Sequence, residues 1–314
     1  MSEKYLMSNG LRLCYEEFGA TEDPAIVLIM GLGTQMISWP TAFCELLAEK
    51  GYRVIRFDNR DIGLSEKIQT KTKTNLLKLF MRQRLGLRVS APYTLRDMAL
   101  DTIGLLDALG ISKAHWVGAS MGGMIGQILA AEHSERTLSL TSIMSTTGRK
   151  GLPQAPISVI KQMLSRPSAS DEKNYIKHSM KTWALIGSPD YPPDAEELKS
   201  RIMTSMQRSS YPAGYRNQVA AIMESGDRRG LLHRIKSPTL VIHGKADVLV
   251  PVDGGIETAR NIKGAKLEVI EGMGHDLPKQ LLPRIANLIN DLIEKNLPSE
   301  GSIVKNKSKK NKAA

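Results

Sequence analysis

A serine flanked by glycines stands where a short apolar strand-like run gives way to an apolar helical run. The segment reads Gly118-Ala119-Ser120-Met121-Gly122, a G-x-S-x-G pattern. A strand, a tight turn and a helix in this order hold a serine on strained backbone with its hydroxyl exposed, and glycines are needed where a Cβ would collide. The first amides of the helix point to the place where an oxyanion would form. We therefore predict that Ser120 is a nucleophile.

A base and an acid follow Ser120 along the chain, each on a loop after a strand-like run. Asp247 follows the run at residues 238–243, and His275 follows the run at residues 266–270. Because the carboxyl ends of parallel strands share one edge of a sheet, three residues distant in sequence can converge there. The chain order Ser, Asp, His is the one expected for this arrangement. We predict that His275 is the general base and that Asp247 orients its imidazole.

Other titratable residues are weaker candidates for these roles. Asp276 could replace Asp247 as the orienting acid, but neighbours along a loop usually point apart, so we prefer Asp247. His243 lies too early in its strand and loop to act as the base. The remaining histidines are expected to pack inside, to end a helix or to be solvated: His115, His133, His178 and His233.

Apolar runs typical of buried strands alternate with amphipathic helical stretches along most of the chain. The predicted strands are residues 4–7, 11–17, 25–30, 53–57, 114–118, 138–144, 238–243 and 266–270. The main predicted helices are residues 41–50, 94–110, 121–133 and 278–297. This pattern predicts an α/β protein with a mainly parallel, eight-stranded sheet that carries helices on both faces.

The strand signal disappears between residues 147 and 230. Four helical stretches, broken by prolines, replace it at residues 157–164, 174–186, 196–206 and 215–223. An all-helical insertion at the edge that carries Ser120 would act as a lid, and we call it the cap. We predict the cap at residues 148–230, the core at 1–147 and 231–297, and a basic tail at 298–314. Trp183 and Tyr215 of the cap are candidate substrate-binding residues.

The chain resembles the α/β-hydrolase family over roughly residues 4–150 and 228–297. The patterns Gly-x-x-Asp-x-x-x-Pro around Asp247 and Gly-x-Gly-His at His275 match the acid and base positions of that family. The segment Gly31-Leu32-Gly33 resembles its oxyanion loop, which implies that the backbone amides of Leu32 and Met121 bind the oxyanion. Residues 58–65 resemble its Asp-x-Arg-Gly-x-Gly-x-Ser turn, except that Asp61 stands where glycine is usual.

A narrower resemblance lies in residues 30–40 and 57–61. These segments are similar to the branch of the family that holds anthracycline methyl esterases and small bacterial carboxylesterases. Gly31 and Trp39 lie in the first segment and are candidate substrate-binding residues.

The net charge of +11 is concentrated in two stretches that contain no acid. Residues 301–314 hold five lysines and residues 67–88 hold seven cations, so the rest of the chain is close to neutral. We therefore predict no specific nucleic-acid binding and a solvated, disordered tail. An amphipathic helix at residues 76–81 is expected to pack against the body, with membrane contact by residues 67–88 as the less favoured alternative.

Composition limits the remaining possibilities. The 41% hydrophobic content is ordinary for a globular protein, and no run approaches the roughly 20 apolar residues of a membrane span. The N-terminus lacks a secretory hydrophobic segment, so a cytoplasmic location is expected. Cys14 and Cys44 have no metal-ligand spacing and are expected to be reduced core thiols.

These residues together predict a serine hydrolase that cleaves carboxylic esters through an acyl-enzyme on Ser120, with no metal and no organic cofactor. The same three groups also serve lactonases, thioesterases, C–C hydrolases, perhydrolases and aminopeptidases, which remain alternatives. A non-catalytic protein that binds a small ligand in the same pocket is a further alternative, which an intact Ser, Asp and His disfavours. The sequence does not specify the acyl group, the alcohol or the oligomeric state.

Overall fold

The structure is a computed structural model that describes residues 2–70, 74–165, 167 and 170–296. The strands are β1 (Lys4–Ser8), β2 (Leu11–Phe18), β3 (Ala25–Ile29), β4 (Arg53–Phe57), β5 (Ala114–Ala119), β6 (Thr137–Ile143), β7 (Thr239–Gly244) and β8 (Lys266–Ile270). The helices are α1 (Thr41–Ala48), α2 (Leu76–Arg84), α3 (Leu95–Ala108), α4 (Met121–Glu132), α5 (Ile157–Leu164), α6 (Glu172–Ile186), α7 (Ala195–Arg208), α8 (Pro212–Ser225), α9 (Arg229–Leu232), α10 (Asp253–Asn261) and α11 (Leu282–Glu294). The predicted tail, together with Lys71 and Lys73, lies outside the described residues.

The eight strands form one sheet in the order β1-β2-β4-β3-β5-β6-β7-β8. Strand β2 pairs antiparallel with β1 and with β4, and all other neighbours pair in parallel. This topology confirms the predicted mainly parallel, eight-stranded sheet. Strand β5 lies near the middle, between β3 and β6. The loops that follow β3, β5, β7 and β8 therefore leave the same edge of the sheet.

Helices cover both faces of the sheet, as the apolar strands predict. Side chains alternate between the faces along a strand, so Ile26 of β3 joins one core cluster and Val27 joins the other. Helices α3 and α4 supply the cluster that contains Val27, whereas α1 and α11 supply the cluster that contains Ile26. Burial on both faces is the reason that β3, in the middle of the sheet, is apolar without interruption.

Local sequence sets the ends of several helices. Thr94 caps α3 through a reciprocal pair of bonds with Asp97, in which each side chain accepts from the backbone amide of the other. Gly51 and Gly110, which follow the ends of α1 and α3, have φ values of 84° and 68°. Such left-handed backbone is adopted most readily by glycine, so the two residues stop their helices where the sequence predicts.

Helices α5 to α9 separate β6 from β7, and the described residues between these strands include no strand. Helices α5 to α8 lie within the residues predicted as the cap, and that name is kept for them. Helix α2 packs on the cap by one face, because its Leu79 is buried against Val89 and against Ala220 of α8. Cys14 and Cys44 are buried free thiols, as expected. None of the helices in the described residues is both long and apolar enough to cross a bilayer.

Candidate active site

Ser120 lies on a strained turn between β5 and α4. Its φ of 55° and ψ of −115° are unusual for a residue with a side chain, and its amide donates to the carbonyl of Ile143 at 2.9 Å. A Cβ at Gly118 would overlap the carbonyl of Gly122, and a Cβ at Gly122 would overlap the carbonyl of Ile29. The glycines of the pattern are therefore required by backbone packing on both sides of the serine.

The structure brings the three side chains singled out from the sequence together. Nε2 of His275 lies 3.0 Å from Oγ of Ser120, and Nδ1 of His275 lies 2.7 Å from Oδ2 of Asp247. Asp247 and His275 are buried, whereas Ser120 is partly exposed. With Nδ1 donating to the carboxylate, Nε2 is free to accept the serine proton. This is the arrangement that general-base activation of a hydroxyl requires.

Asp247 is held as a carboxylate by its surroundings. Burial alone would raise its pKa, but the neighbouring His275 with its hydrogen bond, the nearby His243 and the amide of Val250 bring that pKa down to about 2. Its second oxygen accepts from the amides of Leu249 and Val250 at 2.9 and 2.8 Å. The ionised carboxylate can therefore orient the imidazole of His275 and stabilise its cation at neutral pH.

His243 packs beside the acid. Its Nε2 donates to the carbonyl of Val250 at 2.8 Å and lies 3.5 Å from Oδ2 of Asp247. Its Nδ1 has no hydrogen-bond partner among the described residues. His275, and not His243, bonds to Ser120, as expected. The contact of His243 with the acid was missed, because the loop that folds Asp247 back over β7 cannot be derived from spacing.

Asp276 does not take the role of the acid. Its Oδ1 accepts from the hydroxyl of Ser188 at 2.5 Å, and that hydroxyl also accepts from the amide of Gly274 at 2.8 Å. The amide of His275 donates to the carbonyl of Ile186 at 2.7 Å. The loop that carries His275 is therefore fixed by the cap segment that follows α6. Sequence reasoning missed Ser188, since it lies 86 residues from Gly274.

The predicted oxyanion loop lies against the nucleophile. A Cβ at Gly31 would be 3.2 Å from the Cβ of Ser120, so the backbone of this loop approaches the serine closely. The amide of Gly33 donates to Oε1 of Gln218 at 2.9 Å, and Nε2 of Gln218 donates to the carbonyl of Arg60 at 3.0 Å. Gln218 is fully buried on α8. A cap side chain thus fixes the loop that contains Leu32, and no sequence signal pointed to it.

The surroundings of Asp61 explain how an aspartate is accommodated where the family usually has glycine. Its φ of 73° is in the region that glycine adopts most easily. Its Oδ1 accepts from the amide of Ile68 at 2.7 Å, and its Oδ2 accepts from Nδ2 of Asn217 at 3.0 Å. The aspartate therefore keeps the left-handed backbone and adds a contact between the turn and α8.

Arg208, at the end of α7, makes a further buried contact between cap and core. Its guanidinium lies 2.7 Å from Oδ2 of Asp58 and 2.6 Å from Oε1 of Glu3. It also donates to Oε1 of Gln35 at 2.7 Å. Asp58 follows β4 and is fully buried, so this ion pair is shielded from solvent.

The candidate substrate-binding residues fall into two groups. Trp39 is fully buried in the core and stacks on Phe43 with 5.6 Å between ring centroids, and its contact with substrate stays a prediction. Gly31 lies beside Ser120, as described above. Trp183 packs on a small apolar cluster of the cap, and the hydroxyl of Tyr215 donates to the carbonyl of Met163 at 3.1 Å, so their contact with substrate stays a prediction.

The remaining histidines lie outside the site. His115 is buried on β5, as expected, and its Nδ1 lies 2.8 Å from the hydroxyl of Ser139. Burial lowers its pKa to about 4. A narrow cleft is lined by residues of the oxyanion loop, of the turn after β4 and of the cap, among them Gly33, Asp61, Tyr175, Ser205 and Tyr211.

Comparison with known proteins agrees with the fold and the motifs. Rhodomycin D methylesterase DnrP of Streptomyces peucetius is 27% identical over 298 residues, which cover 88% of this chain and 93% of the relative. 3-Oxoadipate enol-lactonase 2 of Acinetobacter baylyi is 27% identical and covers 85% of this chain and 87% of that relative. The crystal structure of the enol-lactonase from Burkholderia xenovorans LB400 matches with a TM-score of 0.72 and 26% identity, over 93% of this chain and 100% of that one.

A family model described as the alpha/beta hydrolase fold matches residues 24–279, which is well over half of the chain. Together with the methylesterase relative, this match confirms the resemblance drawn from the motifs. The chain belongs to the α/β-hydrolase fold family.

Proposed function

We propose that the protein is a serine hydrolase that cleaves carboxylic esters through an acyl-enzyme on Ser120. The observation that carries the proposal is the hydrogen-bonded series from Ser120 through His275 to Asp247, with separations of 3.0 and 2.7 Å, on a strained turn at the edge of the sheet. The similarity to a methylesterase supports an ester as the substrate.

The geometry supports a two-step reaction. Nε2 of His275 takes the proton of Ser120 as its Oγ attacks the ester carbonyl, and the imidazolium then protonates the leaving alcohol. Water enters, gives a proton to the same nitrogen and attacks the acyl-enzyme. The imidazolium then returns that proton to Oγ of Ser120 as the acid is released, which restores the enzyme. Asp247 stays ionised throughout, because its pKa of about 2 is far below neutral pH.

The oxyanion of each tetrahedral intermediate would be bound by the amides of Met121 and Leu32. Met121 is the first residue of α4, where a helix leaves its amides without intrahelical partners. Leu32 lies between Gly31, which contacts Ser120, and Gly33, which is fixed by Gln218. One such donor contributes about 3 kcal/mol to lowering the barrier.

The cap, taken as residues 148–230, would close over this site and exclude water. Its contacts with the two catalytic loops, through Gln218 and Ser188, support this role. Lactone hydrolysis is a second candidate, since enol-lactonases occur among both the similar sequences and the similar structures. It requires the same acyl transfer, with the alcohol retained on the opened product.

The test is hydrolysis of p-nitrophenyl esters, methyl esters and lactones by wild-type protein, by Ser120→Ala and by Ser142→Ala. Ser142 is a matched control, because its buried hydroxyl has no partner among the described residues and touches none of the three groups. We expect ester turnover in wild type and Ser142→Ala, and a fall of roughly 10⁴-fold or more in Ser120→Ala with an unchanged melting temperature.

A p-nitrophenyl phosphonate gives an independent readout. We expect one equivalent of p-nitrophenol and one covalent adduct on Ser120, seen by mass spectrometry of its peptide. Comparable ester turnover by Ser120→Ala would refute the assignment. Absence of both turnover and adduct in the wild type would favour a protein that only binds a ligand.

A further inference from the structure

Helix α2 presents two apolar faces that point in opposite directions. Its inner face packs on the body, where Leu79 is buried against Val89 and Ala220. Its outer face and the residues just after it expose large apolar side chains, with exposed fractions of 74% for Leu77, 37% for Phe80, 52% for Met81, 68% for Leu85 and 49% for Leu87. Phe80 and Met81 follow Leu77 by three and four positions, so the three side chains share one side of the helix as an apolar stripe.

Cations surround this stripe without acidic partners. No Asp or Glu occurs between Glu66 and Asp97. In the described part of the chain, no carboxylate forms an ion pair with Lys78, Arg82 or Arg84. We name the α2 face as the apolar side chains Leu77, Phe80, Met81, Leu85 and Leu87 with the cations Lys78, Arg82, Arg84 and Arg88.

We propose that the α2 face docks on the surface of an anionic lipid bilayer. A short amphipathic helix that exposes leucines and a phenylalanine beside unpaired cations is the arrangement that lies in a membrane interface. The apolar stripe would enter the boundary between headgroups and acyl chains, and the cations would contact the negative surface. The cations therefore identify the occupant, since an apolar patch alone would fit many partners.

A second copy of this chain fits the α2 face less well. A two-fold contact would place each cation near the same cations of the other copy, with no acid on the face to compensate. An acidic protein would match the charge, but would also need a cleft shaped for the exposed side chains. A bilayer accepts them without a preformed shape.

The position of α2 places the docked surface against the cap helix that contacts the oxyanion loop. The inner face of α2 packs on α8, which carries Gln218. The hydroxyl of Thr74, just before α2, donates to Oδ1 of Asn217 on the same helix. A bilayer bound at the α2 face would therefore adjoin the cap helix that contacts the oxyanion loop.

The experiment is co-sedimentation of the full chain with vesicles of equal parts phosphatidylcholine and phosphatidylglycerol, and with vesicles of phosphatidylcholine alone. We expect wild-type protein to bind the anionic vesicles, to bind the neutral ones weakly, and to be released as salt increases. The triple variant Leu77→Ser, Met81→Ser and Leu85→Ser should lose partitioning by about tenfold or more, since it removes exposed apolar area.

A matched control removes exposed apolar side chains elsewhere. Met7 and Ile157 are 61% and 72% exposed, so the double variant Met7→Ser and Ile157→Ser should bind like wild type. All variants keep the lysines of residues 301–314, so a triple variant that binds as well as wild type would assign binding to the tail and overturn the proposal. Turnover of soluble p-nitrophenyl acetate is read in parallel and should not change, so this test fails independently of the proposed esterase.

Two further outcomes would also overturn the proposal. If wild-type protein does not bind anionic vesicles but forms a dimer in solution, and the triple variant is monomeric, the α2 face would be assigned to a second copy. If wild-type protein does not bind the vesicles but binds polyglutamate, and the triple variant does not, the α2 face would be assigned to an acidic protein.

Discussion

The two halves of the candidate site are held by different parts of the molecule. Ser120 and Asp247 are fixed by core backbone close to them in sequence or in the sheet: the glycine contacts of the turn, the carbonyl of Ile143 and the amides of Leu249 and Val250. The oxyanion loop and the His275 loop instead take bonds from the cap. We call the first pair the core-held half and the second pair the cap-held half.

The sheet and its adjoining loops thus fix the positions of the nucleophile and the acid. The positions of the base loop and of the oxyanion amides depend on where the cap lies. Buried polar contacts such as Arg208–Asp58, Asn217–Asp61 and Gln218–Gly33 fix one orientation of the cap. Such contacts contribute modestly to net stability but are costly to break one-sidedly, so they favour a single arrangement. Changes in the core-held half should be severe, and changes in the cap-held half graded.

The largest expected effect compares two acids on opposite sides of this division. Asp247→Asn should lower turnover by about 10⁴-fold, because an amide cannot hold His275 in the productive tautomer. Asp276→Asn still offers an oxygen to Ser188, so this variant should lose less than about tenfold in turnover. The measurement is kcat/KM on one p-nitrophenyl ester. The reverse ranking would move the acid to the cap-held half.

The next effect concerns the turn itself. Gly122→Ala should lower the free energy of unfolding by more than about 3 kcal/mol, because the new Cβ would overlap the backbone carbonyl of Ile29. Gly126→Ala in the same helix is the control, since its Cβ meets only the side-chain end of Leu140 at 2.8 Å, which can move. Urea denaturation compares the two. Equal stability of both variants would show that the turn is not fixed by close backbone packing.

His115, in the core and outside the candidate site, should make the free energy of unfolding depend on pH without affecting turnover. Burial lowers the pKa of His115 to about 4 from 6.5, so between these pH values the unfolded chain binds a proton that the folded chain does not. The free energy of unfolding is therefore unaffected by this group above pH 6.5, and the group lowers it by about 3 kcal/mol as the pH drops to 4. His115→Gln should remove that part of the slope.

The readout for this prediction is the free energy of unfolding in urea at several pH values, as the difference between wild type and variant. His233→Gln at an exposed position is the control and should follow wild type. Esterase turnover at neutral pH should be unchanged in His115→Gln. Parallel pH profiles for wild type and His115→Gln would contradict the assignment of the slope to this residue.

The smallest effect tests the cap-held half. Gln218→Leu should lower kcat by about 10- to 100-fold with little change in KM, because the amide of Gly33 loses its partner and the adjacent oxyanion donor shifts. Gln162→Leu is a matched control, since Gln162 is also a buried cap glutamine, and its side chain bonds, among the residues that the structure describes, to His178 and Thr182 of the cap. A rise in KM alone would mean that Gln218 acts on substrate binding. A kcat unchanged from wild type would make the oxyanion loop independent of the cap.

Much of the core could be predicted from the sequence, since its signals are local. Period and apolar runs gave all eight strands, Thr94 and Gly110 marked the ends of α3, and the glycines around Ser120 predicted the strained turn that is observed. The placement of Asp247 and His275 at one edge followed from the rule that parallel strands end together. Trp39 shows the limit of such signals, because an aromatic residue near a site motif looks the same in the sequence whether it faces substrate or packs on Phe43, as it does here.

The sequence alone specifies the type of sheet and the three groups that meet at its edge. Strand periodicity and glycine sterics act over a few residues, and the order of the motifs can be read directly along the chain. Only the tertiary structure decided which cap residues hold the remaining half: Gln218 is 185 residues from Gly33, and Ser188 is 86 residues from Gly274. Contacts across such separations depend on how the cap packs on the core, and a hydrogen bond between a buried glutamine and a distant amide leaves no pattern in either local segment.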